Sequence, residues 1–186
     1  MKPLVVGIGG TTRSGSTGER ALHVALEAAE EAGARTLLFS GSYLARMPIY
    51  APEIQERTAE QCELVEAVRA ADGLILASPG YHGGISGLVK NALDLFEDLR
   101  DDRRCYLDGR AVGCIITANG WQTIGTALTA LRSIIHALRG WPTPLGAGLN
   151  TAERIFNETG ACTDPAAAMQ LNTVGRQVVE FAIRWK

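Results

Sequence analysis

The 186-residue sequence predicts an α/β fold in which a five-stranded parallel sheet carries helices on both faces. Short apolar runs typical of buried strands occur at residues 4–8, 35–40, 73–77, 111–117 and 141–149. Apolar residues at helical spacing follow each of them, at residues 18–32, 53–71, 86–99, 124–139 and 166–185. This alternation of strands and helices indicates parallel strands joined by helical crossovers.

The number of strands and the right-handedness of such crossovers favour one strand order. They favour the flavodoxin-like order 2-1-3-4-5, a three-layer sandwich, over a six-stranded Rossmann sheet. The sequence has no internal repeat and no linker, so we expect a single domain over residues 1–186. Strand order reverses between the first and third strands, and a ligand is expected beyond their carboxyl ends.

Composition and charge exclude several classes of function. The chain has 18 Lys and Arg against 20 Asp and Glu, a net charge of −2, which argues against nucleic acid as a partner. No apolar run approaches the ~20 residues of a membrane span, and the chain does not start with a signal-peptide pattern. We therefore expect a soluble cytoplasmic protein with no membrane partner.

The cysteines and histidines show no metal-binding spacing. The four cysteines are scattered, so free thiols are expected, with Cys114 inert inside a strand. A zinc site or a thiol nucleophile is the less favoured alternative. His23 and His136 fall inside predicted helices, where packing or surface roles are expected.

The first loop, residues 9–17, joins the first strand to the first helix and carries five hydroxyl side chains, three glycines and Arg13. Its amides gather at the positive end of the helix dipole, where hydroxyls and a guanidinium can also bind an anion. Helix capping alone would need only one of these hydroxyls. The composition of the first loop therefore predicts a phosphate site.

Two phosphate-binding patterns fit the first loop imperfectly. Ser16 occupies the lysine position of the Walker A pattern, which argues against nucleotide hydrolysis. Thr12 stands where the dinucleotide fingerprint needs its third glycine. A terminal monophosphate, as in FMN, remains the favoured ligand.

Two further loops reach the same edge of the predicted sheet. The second loop, residues 78–87, is rich in glycine and could place bare backbone against a flat ring. The alternative is an ordinary connection in which Ser86 caps the next helix. The third loop, residues 117–121, ends in Trp121, which could stack on a nicotinamide or pack against the protein.

Together these loops resemble those of the NADPH-dependent FMN reductase family of flavodoxin-like proteins. Residues 10–16 (GTTRSGS) are similar to its G-[ST]-x-R-x-x-S phosphate loop, and residues 47–50 (MPIY) to its L-P-x-[FY] loop. Residues 79–94 are similar to its P-E-Y-N segment with the later L-K-N-A-x-D, and the resemblance spans nearly the whole chain. Three positions depart from the family pattern: Gly80 replaces an acidic residue, His82 an asparagine and Ser86 a proline.

The resemblance implies a set of cofactor-binding residues. These are Thr11, Arg13, Ser16 and Thr17 at the FMN phosphate, Pro79, Gly80, Tyr81, His82 and Gly83 along the isoalloxazine ring, and Asn119 and Gly120 at its other edge. It implies hydride transfer from NADPH or NADH to FMN, and then electron transfer to a small acceptor such as free flavin or a quinone. Because the flavin supplies the redox chemistry, no general base is expected.

The resemblance also implies partners. Ser86-Gly87 is similar to the branch that supplies reduced flavin to two-component monooxygenases, so a partner monooxygenase is implied. A homodimer or homotetramer is implied as well, for which Ile134, Ile135 and Leu138 are candidate contacts, with core packing as the alternative. There are two competing functions. One is a flavodoxin-like electron carrier that accepts no hydride, but a net charge of −2 fits poorly with the charge-steered docking of such a carrier. The other is a nucleotide hydrolase.

Overall fold

The structure, a computed structural model, describes residues 2–185. The strands are β1 (Leu4–Gly9), β2 (Arg35–Ser40), β3 (Gly73–Tyr81), β4 (Gly84–Ile85), β5 (Ala111–Ala118), β6 (Trp141–Pro142) and β7 (Ala147–Asn150). The helices are α1 (Thr17–Glu31), α2 (Gly41–Leu44), α3 (Ala59–Ala70), α4 (Gly87–Asp94), α5 (Trp121–Ala137) and α6 (Pro165–Arg184), and a 3₁₀ helix spans Leu95–Leu99.

The sheet has the predicted flavodoxin-like order. Its strands run β2-β1-β3-β5-β6, and every neighbouring pair along this path is parallel. β7 pairs with β5 beyond β6, so β6 and β7 together occupy the fifth position. The predicted α/β class and strand order are confirmed, although the sheet contains seven strands rather than five.

Two local features account for the extra strands. The predicted fifth strand breaks between Pro142 and Ala147, where Thr143 Oγ1 donates to the Leu145 carbonyl over 2.8 Å and the Leu145 amide donates to Gln177 Oε1 over 3.2 Å rather than to β5. The amide of Thr143 still donates to Val112 O over 3.0 Å, and Arg132 holds the Thr143 carbonyl from α5 over 2.9 Å. The short β4 is the return arm of an antiparallel hairpin at the end of β3.

The core lies in two layers, one on each face of the sheet. One face packs alternate strand residues such as Ile8 and Leu76 against α3, α4 and α5. The other packs residues such as Val5 and Ile115 against α1 and α6. Ile135 is fully buried in the first layer, while Ile134 and Leu138 are partly buried against it. Ile135 therefore packs in the core, as the alternative interpretation expected, whereas Ile134 and Leu138 lie at its margin and remain partly exposed.

Helix caps correct several predicted boundaries. α3 begins at Ala59 instead of residue 53, because Thr58 and Gln61 form a capping box. α5 begins three residues earlier than predicted, at Trp121, and the short α2 was not predicted at all. Within residues 2–185, no helix combines the length and the apolar character that crossing a membrane requires.

Candidate functional site

A cleft of about 650 Å³ opens at the carboxyl ends of β1, β3 and β5. This is the edge of the sheet at which the strand order reverses, where ligands bind in open α/β sheets. The first, second and third loops each form one wall. The lining residues are Thr11, Arg13, Ser16, Thr17, Gly18, Pro79, Gly80, Tyr81, His82, Thr117, Ala118, Asn119, Thr123 and Thr151.

The first loop is held in shape by its own hydroxyls. Thr11 Oγ1 accepts from the Arg13 amide and donates to the Arg13 carbonyl, each over 3.2 Å. Ser16 is the N-cap of α1, and its Oγ accepts from the Glu19 amide over 3.3 Å. The Ser16 hydroxyl therefore still has its own hydrogen to donate.

The first loop also presents unused donors to the cleft. The amides of Ser16, Thr17 and Gly18 make no hydrogen bond with any atom of residues 2–185. They begin a helix of fifteen residues, so the positive end of the helix dipole is directed at the same place. The exposed guanidinium of Arg13 forms neither an ion pair nor a hydrogen bond within the described chain. Three amides, a hydroxyl and one cation thus remain for an anion.

The second loop is a tight hairpin between β3 and β4. Gly80 pairs with Ile85 and Tyr81 with Gly84, which leaves His82 and Gly83 as the two turn residues. Their φ angles are +51° and +85°, as a type I′ turn requires. Histidine, like asparagine and aspartate, adopts positive φ more readily than most residues. The replacement of the family's asparagine by His82 therefore keeps the turn.

Two buried serines fix the base of this hairpin. Ser78 Oγ accepts from the Ser86 amide over 2.9 Å, and Ser86 Oγ caps α4 by accepting from the Val89 amide over 3.2 Å. Both serines are buried. The predicted capping role of Ser86 is present, and it joins the hairpin to α4.

Gly80 departs from the family's acidic residue for a steric reason. A Cβ atom at Gly80 would lie 2.9 Å from Thr123 Cγ2 and 3.3 Å from the Cβ atoms of Ala118 and Ala127. Since α5 already fills this space, a larger side chain would displace the hairpin from the cleft wall.

The Lys-Asn-Ala segment of the resemblance does not line the cleft. Asn91 is buried on α4, where its Oδ1 accepts from the Tyr50 amide over 2.7 Å and its Nδ2 donates to Pro48 O over 3.0 Å. The Met-Pro-Ile-Tyr loop is therefore tied to α4 by one amide side chain. In this part of the resemblance, Asn91 has a structural role, because it joins this loop to α4.

The structure brings together all but two of the cofactor-binding residues implied by the resemblance. Gly83 lies at the outer tip of the hairpin, and Gly120 is the N-cap of α5 with φ +131°; neither lines the cleft. Five lining residues were not predicted, namely Gly18, Thr117, Ala118, Thr123 and Thr151. Thr117 and Ala118 belonged to the third loop or its strand, whereas Thr151 carried no local signal because β7 was not resolved from the sequence.

The chemistry of the lining fits an uncharged polar ring attached to a phosphate. Among residues 2–185, Arg13 is the one lining residue with a permanent charge, and none of the lining residues has a carboxylate. Thr117 is 5% exposed and lines the cleft, and its hydroxyl makes no hydrogen bond with residues 2–185, so it is available to a ligand there. The donors at the first loop fit a phosphomonoester, and a cleft of about 650 Å³ leaves room for a flat ring. The residues present therefore fit FMN.

The sheet order, the hairpin and the donor-rich first loop define a flavodoxin-like α/β protein with a cleft for a phosphorylated ligand. The NADPH-dependent FMN reductase family matches residues 3–153, and the chain belongs to this family. The resemblance inferred from the three loops is thereby confirmed.

One curated relative is an FMN-dependent NADPH-azoreductase of Staphylococcus aureus. It is 36% identical over 132 residues, which are 70% of this chain and 66% of the relative. The match thus spans just under two thirds of the relative's length.

Solved structures share the fold at low sequence identity. An NADH:FMN oxidoreductase in its apo form superposes with a TM-score of 0.72 at 21% identity, covering 98% of this chain and 90% of that one. A WrbA-like flavodoxin from Agrobacterium tumefaciens gives a TM-score of 0.66 at 17% identity, covering 98% of both chains. These similarities support the flavodoxin-like fold.

Proposed function

We propose that the protein is an NAD(P)H-dependent flavin oxidoreductase that reduces FMN with NADPH or NADH and delivers the electrons to a small acceptor. The observation that carries this proposal is the cleft of a family member in which unpaired amides, the Ser16 hydroxyl and the Arg13 guanidinium converge at one end. That end is suited to a phosphate, and the hairpin and third loop extend the cleft for a ring.

Each wall of the cleft has a distinct task in this proposal. Thr11, Arg13, Ser16 and Thr17 bind the phosphate, with Arg13 adding a charge-assisted hydrogen bond. The hairpin residues from Pro79 to His82 support the ring with backbone and with the side chains of Tyr81 and His82. Asn119, with Thr117 beside it, bounds its other edge.

The protein's own contribution is binding and orientation. When bound, FMN supplies the redox chemistry, taking up a hydride from NAD(P)H and releasing electrons to the acceptor. No carboxylate is among the lining residues of the described chain, and the proposal assigns no residue as a general base. Catalysis thus depends on how closely the rigid hairpin and the first loop hold the two ends of the cofactor.

The acceptor and the assembly complete the proposal. The acceptor is a small molecule such as free flavin or a quinone, and the azoreductase relative adds an azo compound to the set worth assaying. Delivery of reduced flavin to a partner monooxygenase is the further possibility implied by Ser86-Gly87.

We propose a single cytoplasmic domain that assembles as a homodimer or homotetramer. Tyr81 on the hairpin and Trp121 at the start of α5 are both more than half exposed near the cleft, as expected of an interface beside the site. The four cysteines are free thiols, which suits a reducing compartment. Light scattering on the purified protein with and without FMN measures the assembly, and a monomer in both would contradict this part of the proposal.

The proposed activity is tested by mixing the protein with FMN and NADPH, or NADH, without oxygen. Bleaching of the flavin absorbance that depends on the protein supports the reductase. FMN binding without bleaching by either nicotinamide would support the electron carrier instead. The absorbance spectrum of the protein as purified then separates a resident FMN from one that exchanges as a substrate.

A further inference from the structure

The first turn of α1 contains an acidic residue next to the proposed phosphate site. Ser16 and Glu19 form the Ser-x-x-Glu pattern of a capping box. In a complete box the serine accepts from the fourth residue's amide, and the glutamate accepts from the serine's own amide. The first half is present, because Ser16 Oγ accepts from the Glu19 amide over 3.3 Å.

The second half of the capping box is displaced by one residue. Glu19 Oε2 accepts from the Gly15 amide over 2.8 Å, instead of from the Ser16 amide. The Ser16 amide is left without a partner in the described chain, together with those of Thr17 and Gly18. A regular capping box would have used one of the donors that line the cleft.

Glu19 is not part of the cleft wall. Neither Glu19 nor Gly15 lines it, whereas Ser16, Thr17 and Gly18 do. Gly15 has φ +67°, the left-handed conformation that favours glycine. The Glu19 carboxylate therefore holds Gly15 in this conformation, while the amides of Ser16, Thr17 and Gly18 remain available to a ligand in the cleft.

We propose that Glu19 is a positioning residue for the ligand's phosphate and that it acts through Gly15. By holding the Gly15 amide, it keeps the first loop ready for the phosphate before the ligand arrives, which lowers the ordering cost of binding. Its negative charge opposes the phosphate dianion through the loop. This inference rests on the proposed function, because it concerns how tightly that site holds FMN.

Glu19 strengthens phosphate binding through its hydrogen bond to Gly15 and weakens it through its negative charge. A pair of variants separates these two effects. Glu19→Gln keeps an oxygen that can accept from Gly15 and removes the charge. Glu19→Ala removes both. Glu27→Gln is the matched control, since Glu27 is exposed on the same helix, about 12 Å further along its axis, and has no ion pair or hydrogen bond within residues 2–185.

The measurement is the dissociation constant of FMN and of riboflavin, by flavin fluorescence at low and at high salt. Glu19→Gln should bind FMN about 3- to 10-fold more tightly than wild type, with a smaller gain at high salt. Glu19→Ala should bind FMN about 5- to 20-fold more weakly than Glu19→Gln, because the loop loses its hydrogen bond. Riboflavin, which has no phosphate, should bind all variants alike.

A measurement on the ligand-free protein checks the positioning role directly. The Gly15 amide should exchange its hydrogen faster in Glu19→Ala than in wild type, and little faster in Glu19→Gln. An unchanged Gly15 exchange rate in Glu19→Ala would overturn the inference. So would equal FMN affinities for the two Glu19 variants, or riboflavin affinities that change as much as those of FMN.

These outcomes also distinguish the inference from the proposed function. If wild type prefers FMN to riboflavin and the Glu19 variants behave like Glu27→Gln, the proposed function stands and the role of Glu19 is wrong. If wild type binds neither flavin, or both equally, the phosphate site and the role of Glu19 fail together.

Discussion

Arg13 carries the one permanent charge among the residues that line the cleft in residues 2–185. Arg13→Ala should weaken FMN binding by about 10- to 100-fold, the range of a charge-assisted hydrogen bond, and leave riboflavin binding unchanged. Titration with both flavins measures the effect. Arg35→Ala is the control. Arg35 is exposed at the amino-terminal end of β2, whereas the cleft lies at the carboxyl ends of the strands. Equal losses for both flavins would remove Arg13 from the phosphate site.

For His82, the effect of a substitution on stability follows from the backbone conformation at this position. At φ +51° a β-branched side chain is strained, so His82→Val should lower the free energy of unfolding by about 1–2 kcal/mol. His82→Asn and His82→Gly should stay near wild type, because both residues accept this turn conformation. Urea denaturation of the ligand-free protein measures all three. A valine variant as stable as the glycine variant would show that the turn is not of this type.

Single residues also mark how far the sequence could predict the site. The first loop was recognisable because its donors are consecutive along the chain. Thr123 and Thr151 reach the cleft from a helix and from the end of a split strand, so their position depends on packing between distant segments. The hairpin turn at His82 had no asparagine to indicate it, and the displaced capping box at Glu19 has an ordinary Ser-x-x-Glu sequence.

At the scale of elements, α3 ends against Arg110, the residue immediately before β5. Arg110 is fully buried and donates to Arg69 O over 2.8 Å, Tyr106 O over 2.9 Å and Ala71 O over 3.0 Å. Two of these carbonyls belong to the last turn and cap of α3, the negative end of its dipole. Burial lowers the pKa of Arg110 to about 10, so the guanidinium is still charged at neutral pH.

Replacing Arg110 should therefore destabilise the fold without touching the cleft. Arg110→Met should lower the free energy of unfolding by about 3 kcal/mol, because buried carbonyls lose their donors. The loss is limited by Arg104, which also donates to Ala71 O over 3.1 Å. Arg103→Met, at an exposed side chain, is the control and should change stability by less than about 0.5 kcal/mol. Urea denaturation measures the stability of both variants. If Arg110→Met were as stable as Arg103→Met, this role of Arg110 would be wrong.

The elements show why strand order was predictable and boundaries were not. Apolar periodicity reports which residues are buried, and it located every position in the parallel sheet. The start of α3 depended on the capping box of Thr58 and Gln61, which apolar periodicity does not report. The four-residue α2 is too short to show any period, and its Ser40 cap follows directly from β2.

At the scale of the whole molecule, buried ionisable groups make the fold sensitive to alkaline pH. Burial raises the pKa of the Cys114 thiol to about 12. Burial, with a hydrogen bond to Glu63, also raises the pKa of Tyr43. Between the ordinary pKa of a thiol, about 8.5, and pH 12, the unfolded chain releases the Cys114 proton and the folded protein keeps it. The unfolded state then binds fewer protons, so stability falls as pH rises.

The expected loss approaches about 1.4 kcal/mol per pH unit for Cys114 above the ordinary thiol pKa. Urea denaturation at successive pH values from neutral to alkaline measures it, with Cys114→Val as the control that lacks this titration. The control should show a shallower decline. Parallel declines in both proteins would assign the alkaline loss to other groups.

The break in the fifth strand has a consequence for how copies of this molecule meet in a crowded solution. The amides of Trp141 and Thr143 face β5, so the nitrogen of Pro142 between them faces the open border of the sheet. Proline has no hydrogen to offer there, and a foreign strand arriving at that border finds an incomplete ladder. Pro142 thus helps to guard the sheet against fibrous polymerisation.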